Sequence, residues 1–117
     1  LKEKVFIKHI NGPLFFGSTS SFEQLSKQIP QGAVAVIIRM GRVPYIDQSG
    51  LYALEDVLID QINQGREVHL VGLQKQPRYM LERVGVIPDL IPYEHACQGF
   101  EDCAVSLRES LIRKGEL

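Results

Sequence analysis

The chain has 117 residues, 44% of them apolar and 23% charged, which suits one ordinary globular domain with a single core. Its 13 basic and 14 acidic residues leave a formal net charge of -1. That balance argues against a nucleic-acid binder, whose affinity rests on Lys and Arg neutralising phosphates, and there is no polybasic run to hold an anionic membrane surface.

The first residues, Leu1-Lys2-Glu3-Lys4, lead abruptly into a strand-like run, as expected for a domain cut from something longer. Val5, Ile7 and His9 alternate with Phe6, Lys8 and Ile10, a first strand of imperfect alternation. Asn11-Gly12 is a hairpin signal because both residues tolerate positive φ. Past Pro13, Leu14-Phe15-Phe16 is the expected second strand. Ser20 and Glu23 have capping-box spacing; Phe22, Leu25 and Ile29 follow at helical intervals until Pro30 stops the helix.

The longest unbroken apolar stretch, residues 33–38, is far short of the roughly 20 residues a membrane helix needs. No signal-peptide pattern opens the chain. The stretch is β-branched without polar alternation, which predicts a strand buried on both faces of a sheet. Residues 39–48 are expected to form a loop. A long helix follows, with Leu51, Leu54, Leu58 and Ile62 on one face, Glu55, Asp56 and Asp60 off it, and Gly65 as its stop. Val68 to Leu73 is another strand, in which His69 is most simply a structural residue with a satisfied ring.

Pro77 suits the first turn of a third helix ending at Gly85, with Arg78 and Glu82 at pairing distance. Two prolines interrupt residues 87–93, so any strand there is short or at an edge. Phe100, Cys103, Ala104, Leu107 and Leu111 stripe a final amphipathic helix. Cys97 and Cys103 have no CxxC partner and no His at ligand spacing, so no metal site is expected, and reduced thiols are the simplest reading. The element order β-β-α-β-α-β-α-(β)-α implies an α/β fold with helices covering a sheet.

Chemistry is concentrated in residues 42–56, between the buried strand and the long helix, where ligands and partners of α/β sheets bind. Asp47 and Ser49 both lie where a side chain can accept from unpaired amides of the helix's first turn, and Gly50 lets the backbone bend near a neighbour. Capping is the simple role for both. The functional alternative is a phosphorylation or partner-contact point, since a phosphoserine would add about -1.5 to -2 charges at a helix N-terminus. A nucleophile elbow needs Gly two residues either side of Ser49, but Asp47 and Leu51 stand there. His9, His69 and His95 are scattered, and no phosphate-cradling glycine motif occurs. Neither an enzyme nor a cofactor is indicated.

At this segment the chain resembles the STAS family, whose Asp-x-Ser/Thr-Gly-Leu signature stands here as Asp47-Gln48-Ser49-Gly50-Leu51. Ser49 matches the serine phosphorylated in bacterial anti-sigma factor antagonists. Two further stretches resemble the SulP-transporter branch: Gly12-Pro13-Leu14-Phe15-Phe16-Gly17, and Val43-Pro44-Tyr45-Ile46-Asp47 continuing through Leu51-Tyr52-Ala53-Leu54-Glu55. The resemblance implies a mixed sheet of four or five strands flanked by helices, with the Asp47–Ser49 loop exposed at one end. It implies a single STAS domain over residues 1–117, part of a larger membrane transporter for sulfate, bicarbonate or dicarboxylates, at the cytoplasmic face of a bacterial inner membrane. The implied partner is the transporter's own transmembrane domain, with a homodimer formed through the parent. Contacts of some relatives with nucleotide or acyl carrier protein are further candidates. A free-standing antagonist regulated at Ser49 is the alternative.

Overall fold

A computed structural model describes residues 4–13 and 19–115, with the side chains of residues 19–23 outside the description. The elements are β1 (Val5–Asn11), α1 (Thr19–Gln28), β2 (Ala35–Arg42), α2 (Gln48–Asn63), β3 (Glu67–Val71), α3 (Lys75–Arg83), β4 (Ala96–Cys97) and α4 (Phe100–Arg113). The sheet order is β1-β2-β3-β4, and all three pairings are parallel. Gly12 has the positive φ expected of the hairpin turn, but the expected second strand, residues 14–16, lies outside the described residues. The antiparallel part of the expected mixed sheet rests on that segment. The Ser20–Glu23 capping box likewise falls on side chains outside the description.

The predicted doubly buried strand is β2. Val36, Ile38 and Met40 face a core shared with Leu25 of α1 and Ile29 just after it, Leu51, Leu54 and Leu58 of α2, and Leu81 of α3. Ala35 and Ile37 face the opposite side, against Cys103, Leu107 and Leu111 of α4. Three helices therefore cover one face of the sheet and one covers the other. β2 begins later than the apolar run and continues to Arg42, through residues expected to be loop. Register explains the extension: Arg39 pairs with both His9 and Val71, and Arg42 with Asn11, so neighbouring strands hold the polar end in the ladder.

A second correction concerns the proline-interrupted stretch. Residues 86–90 make a wide helical turn and Tyr93–His95 a short 3-10 turn, and only Ala96 and Cys97 pair with β3. Proline lacks an amide donor for a ladder, so the edge strand forms only after Pro92.

Arg66, just before β3, is buried despite its charge. Its guanidinium donates to the carbonyls of Ala33 (2.9 Å), Pro30 (3.0 Å) and Gln31 (3.2 Å) and to Gln61 Oε1 (2.6 Å). One side chain thus ties the α1–β2 turn to the end of α2. At the opposite edge, Gly72 has φ +76, and an added Cβ would sit 3.2 Å from the Gly41 Cα, so the ends of β2 and β3 meet backbone to backbone.

Leu54 is 0% exposed in the larger core. Leu54→Ala should cost about 2–5 kcal/mol in chemical denaturation, and Leu107→Ala a similar amount through the second core. A loss below about 1 kcal/mol at either position would contradict the helix faces described here.

Candidate functional site

The sequence left open which side chain caps α2, and the structure assigns Asp47. Its backbone is extended (φ -87, ψ 178), and its Oδ1 accepts from the Gly50 amide at 2.8 Å. Ser49 is the second helical residue, half-buried within the first turn, and Gly50, the third, is buried. All three expected site residues therefore gather at one helix tip, with different duties.

The loop leading into that tip is held from α3. The Gln76 carboxamide accepts from the Ile46 amide (2.8 Å) and donates to the Ile46 carbonyl (2.9 Å). Gln74 donates to the Gly41 carbonyl at 2.9 Å. With Ile46 fully buried and both its backbone groups satisfied, Tyr45 beside it is turned outward and is 45% exposed. Tyr52, one turn into α2, is 52% exposed, and its hydroxyl accepts from Gln48 at 2.8 Å. Between α2 and α3 lies an open groove of about 440 Å³, lined by Gln48, Leu51, Tyr52, Met80, Arg83 and Val84. An aromatic ring, an Arg and a Met around an open groove suit recognition of a partner surface.

A second cluster, invisible to sequence spacing, lies on the α4 side of the sheet. Glu67 and His69 are alternate residues of β3, and His95 approaches from the turn before β4. The two imidazoles stack with centroids 4.0 Å apart and planes at 24°. Glu67 Oε1 lies 3.0 Å from His69 Nε2 and 3.7 Å from His95 Nε2. Its Oε2 accepts from Ser110 and pairs with Lys114 Nζ at 2.8 Å. Burial alone would raise the Glu67 carboxyl, but hydrogen bonds from Lys114, Ser110 and His69 outweigh it and hold the group at about 2. Burial, with the charge of His95, pushes His69 down to about 4, against the pull of Glu67. Burial also lowers His95. The expectation of a satisfied His69 ring is half met, because its buried Nδ1 has no partner among the described residues.

Cys97 and Cys103 are free thiols, and Cys97 Sγ donates to the Glu94 carbonyl at 3.3 Å. Burial pushes Cys103 up to about 12 and raises Cys97, so neither favours the thiolate. Arg78 donates to the Ala96 carbonyl at 3.2 Å.

Two predictions follow from this geometry. Asp47→Ala should destabilise the domain by about 0.5–2 kcal/mol, while Ser49→Ala stays within about 0.5 kcal/mol, both read by chemical denaturation. Equal costs would mean that the cap is shared. Stability should also fall with acid. The unfolded chain protonates its histidine near 6.5 and its carboxyl near 4.5, whereas folded His69 and Glu67 resist until about 4 and about 2. The unfolded state therefore binds more protons throughout that window, and the melting temperature should drop as pH falls from 6.5 through 4 and on towards 2. The measurement belongs in chelator-containing buffer, so that only protons compete for the imidazoles. A flat profile between pH 7 and 4 would contradict a neutral buried His69.

Comparison with known proteins agrees with this architecture. Residues 2–97 match the family described as the STAS domain. A putative sulfate transporter of Bacillus subtilis, YvdB, is 33% identical over 78 residues, covering 66% of this chain and 15% of that protein. The bicarbonate transporter BicA of a Synechocystis strain is 24% identical over 107 residues, covering 89% of this chain and 19% of its own length. This chain thus spans less than a fifth of either relative. The solved STAS domain of a SulP transporter from Vibrio cholerae superposes with a TM-score of 0.77 over 97% of this chain and 88% of that one, at 23% identity. With its parallel sheet, its four covering helices and the Asp47–Leu51 signature at the tip of α2, the chain belongs to the STAS family and is homologous to the STAS domains of SulP-family anion transporters.

Proposed function

We propose that this chain is the regulatory and interaction domain of a SulP-type anion transporter, a single STAS unit attached to a transmembrane domain and facing the cytoplasm of a bacterial cell. Its relatives are named as sulfate and bicarbonate carriers, which supports an inorganic or small organic anion as the cargo of the parent. Selectivity among sulfate, bicarbonate and dicarboxylates would be set in the membrane part. No helix among the described residues is long and apolar enough to cross a membrane. In this reading the domain makes and breaks no covalent bonds.

The observation that carries the reading is the construction of the α2 tip. Asp47 caps the helix and Gln76 clamps the loop, so that Tyr45, Gln48 and Tyr52 are presented on a pre-formed surface beside the α2–α3 groove. Rigid exposed aromatics lose little conformational entropy on docking, which makes such a surface suited to a protein partner. The transporter's own membrane domain is the partner we assign to it. Asp47 and Ser49 form the edge of that contact, with Gly50 buried behind them. A phosphoryl group on Ser49 would place about two negative charges there, opposed by Asp47 and favoured by the helix dipole.

The test is anion uptake by the full-length transporter in proteoliposomes. Tyr45→Ala with Tyr52→Ala, and separately Ser49→Asp, should lower uptake severalfold while the melting temperature of the isolated domain stays within a few degrees. Wild-type uptake in all these variants would overturn the assignment of this tip as the working surface.

A further inference from the structure

We propose that Glu67, His69 and His95 form a binding site for a divalent transition-metal ion, with zinc the best match, on the face of the sheet opposite α2. The site is distinct from the recognition tip and independent of its role.

The three donor atoms lie close together. Glu67 Oε1, His69 Nε2 and His95 Nε2 all lie within 4.8 Å of one another. Ligands bound at about 2.0–2.2 Å around a tetrahedral zinc sit roughly 3.4 Å apart. The two Glu–His separations here, 3.0 and 3.7 Å, bracket that spacing. Only the imidazole pair must open, from stacked to splayed. His95, on a short turn and 16% exposed, has room to move, whereas His69 is fixed in the middle of β3. Two imidazoles and one carboxylate are the donors of zinc-type sites, and too nitrogen-rich for calcium or magnesium. Three protein ligands leave a fourth position, which His95 opens towards solvent.

The surroundings orient the carboxylate as supporting residues do in metal centres. Ser110 and Lys114 both hold Glu67 Oε2, which leaves Oε1 turned to the two rings. The alternative for the same atoms is a closed polar network that binds nothing. In that case His69 and Glu67 satisfy each other, and Lys114 simply neutralises a buried charge. The two readings differ over Lys114. As a neutralising partner it opposes an incoming dication, and with half its side chain exposed it can be removed without opening a cavity.

The experiment is calorimetric titration of the chelator-stripped chain with Zn²⁺, paired with Co²⁺ as a paramagnetic NMR probe on the wild-type protein. One ion should bind per chain, and the Co²⁺ pseudocontact shifts should centre on Glu67, His69 and His95. His95→Ala should weaken Zn²⁺ binding by at least about tenfold. Lys114→Met should tighten it several-fold, and Cys97→Ser should leave it unchanged. Zn²⁺ should raise the melting temperature of the wild type and not of His95→Ala. The proposal fails if no saturable Zn²⁺ binding occurs, if the Co²⁺ shifts centre on the thiols or His9, or if Lys114→Met leaves the affinity unchanged. Because the cobalt measurement needs no substitution, it decides the matter even if a variant does not fold.

Discussion

A strand that must be dry on both faces governs this molecule. β2 is apolar from Ala35 to Ile38 whichever way a side chain points, so it is stable only with a strand on each edge and helices above and below. Parallel neighbours then require crossovers, and the crossovers supply α1, α2 and α3 to one face while α4 closes the other. From that constraint comes the position of the recognition tip. α2 must start where β2 ends, at the carboxyl edge of the sheet, where loops are free to serve binding.

Two polar anchors fix the ends of this layered arrangement. Arg66 gathers three carbonyls of the α1–β2 turn, so backbone acceptors at that corner are satisfied by a charged donor instead of a strand. Glu67, next in sequence, carries a carboxylate under α4 that is only 5% exposed. A buried charge of this kind persists only when paired and hydrogen-bonded. Ser110 and Lys114, at the end of α4, supply that pairing, so the docking of the last helix is polar at one end and apolar at the other.

Much of this was legible in the residues themselves. The β-branched run of β2, the leucine face of α2 and the stripe of α4 are local patterns, and they survive because burial of the whole fold agrees with them. The gathering of Asp47, Ser49 and Gly50 was legible too, since sequence neighbours at a helix start stay neighbours. What spacing alone did not decide was which of Asp47 and Ser49 accepts the amide, because that depends on the backbone angles of a single residue. Less accessible still was the meeting of His69 with His95. They are 26 positions apart and come together only through the register that sets Leu70 beside Ala96. Arg66 looked like any solvated cation, because three of its four acceptors are backbone carbonyls that every residue possesses. The edge strand was misplaced by a few residues because prolines announce where a ladder cannot run, not where it resumes.

The carboxamide of Gln76 offers one last consequence. It meets both the amide and the carbonyl of Ile46, and of the common side chains only an amide can donate and accept in that fashion. Deamidation of this one group would keep the acceptor, lose the donor and press a negative oxygen against a carbonyl. Chemical ageing at this position would therefore loosen the aromatic tip while leaving the cores on either side of the sheet untouched.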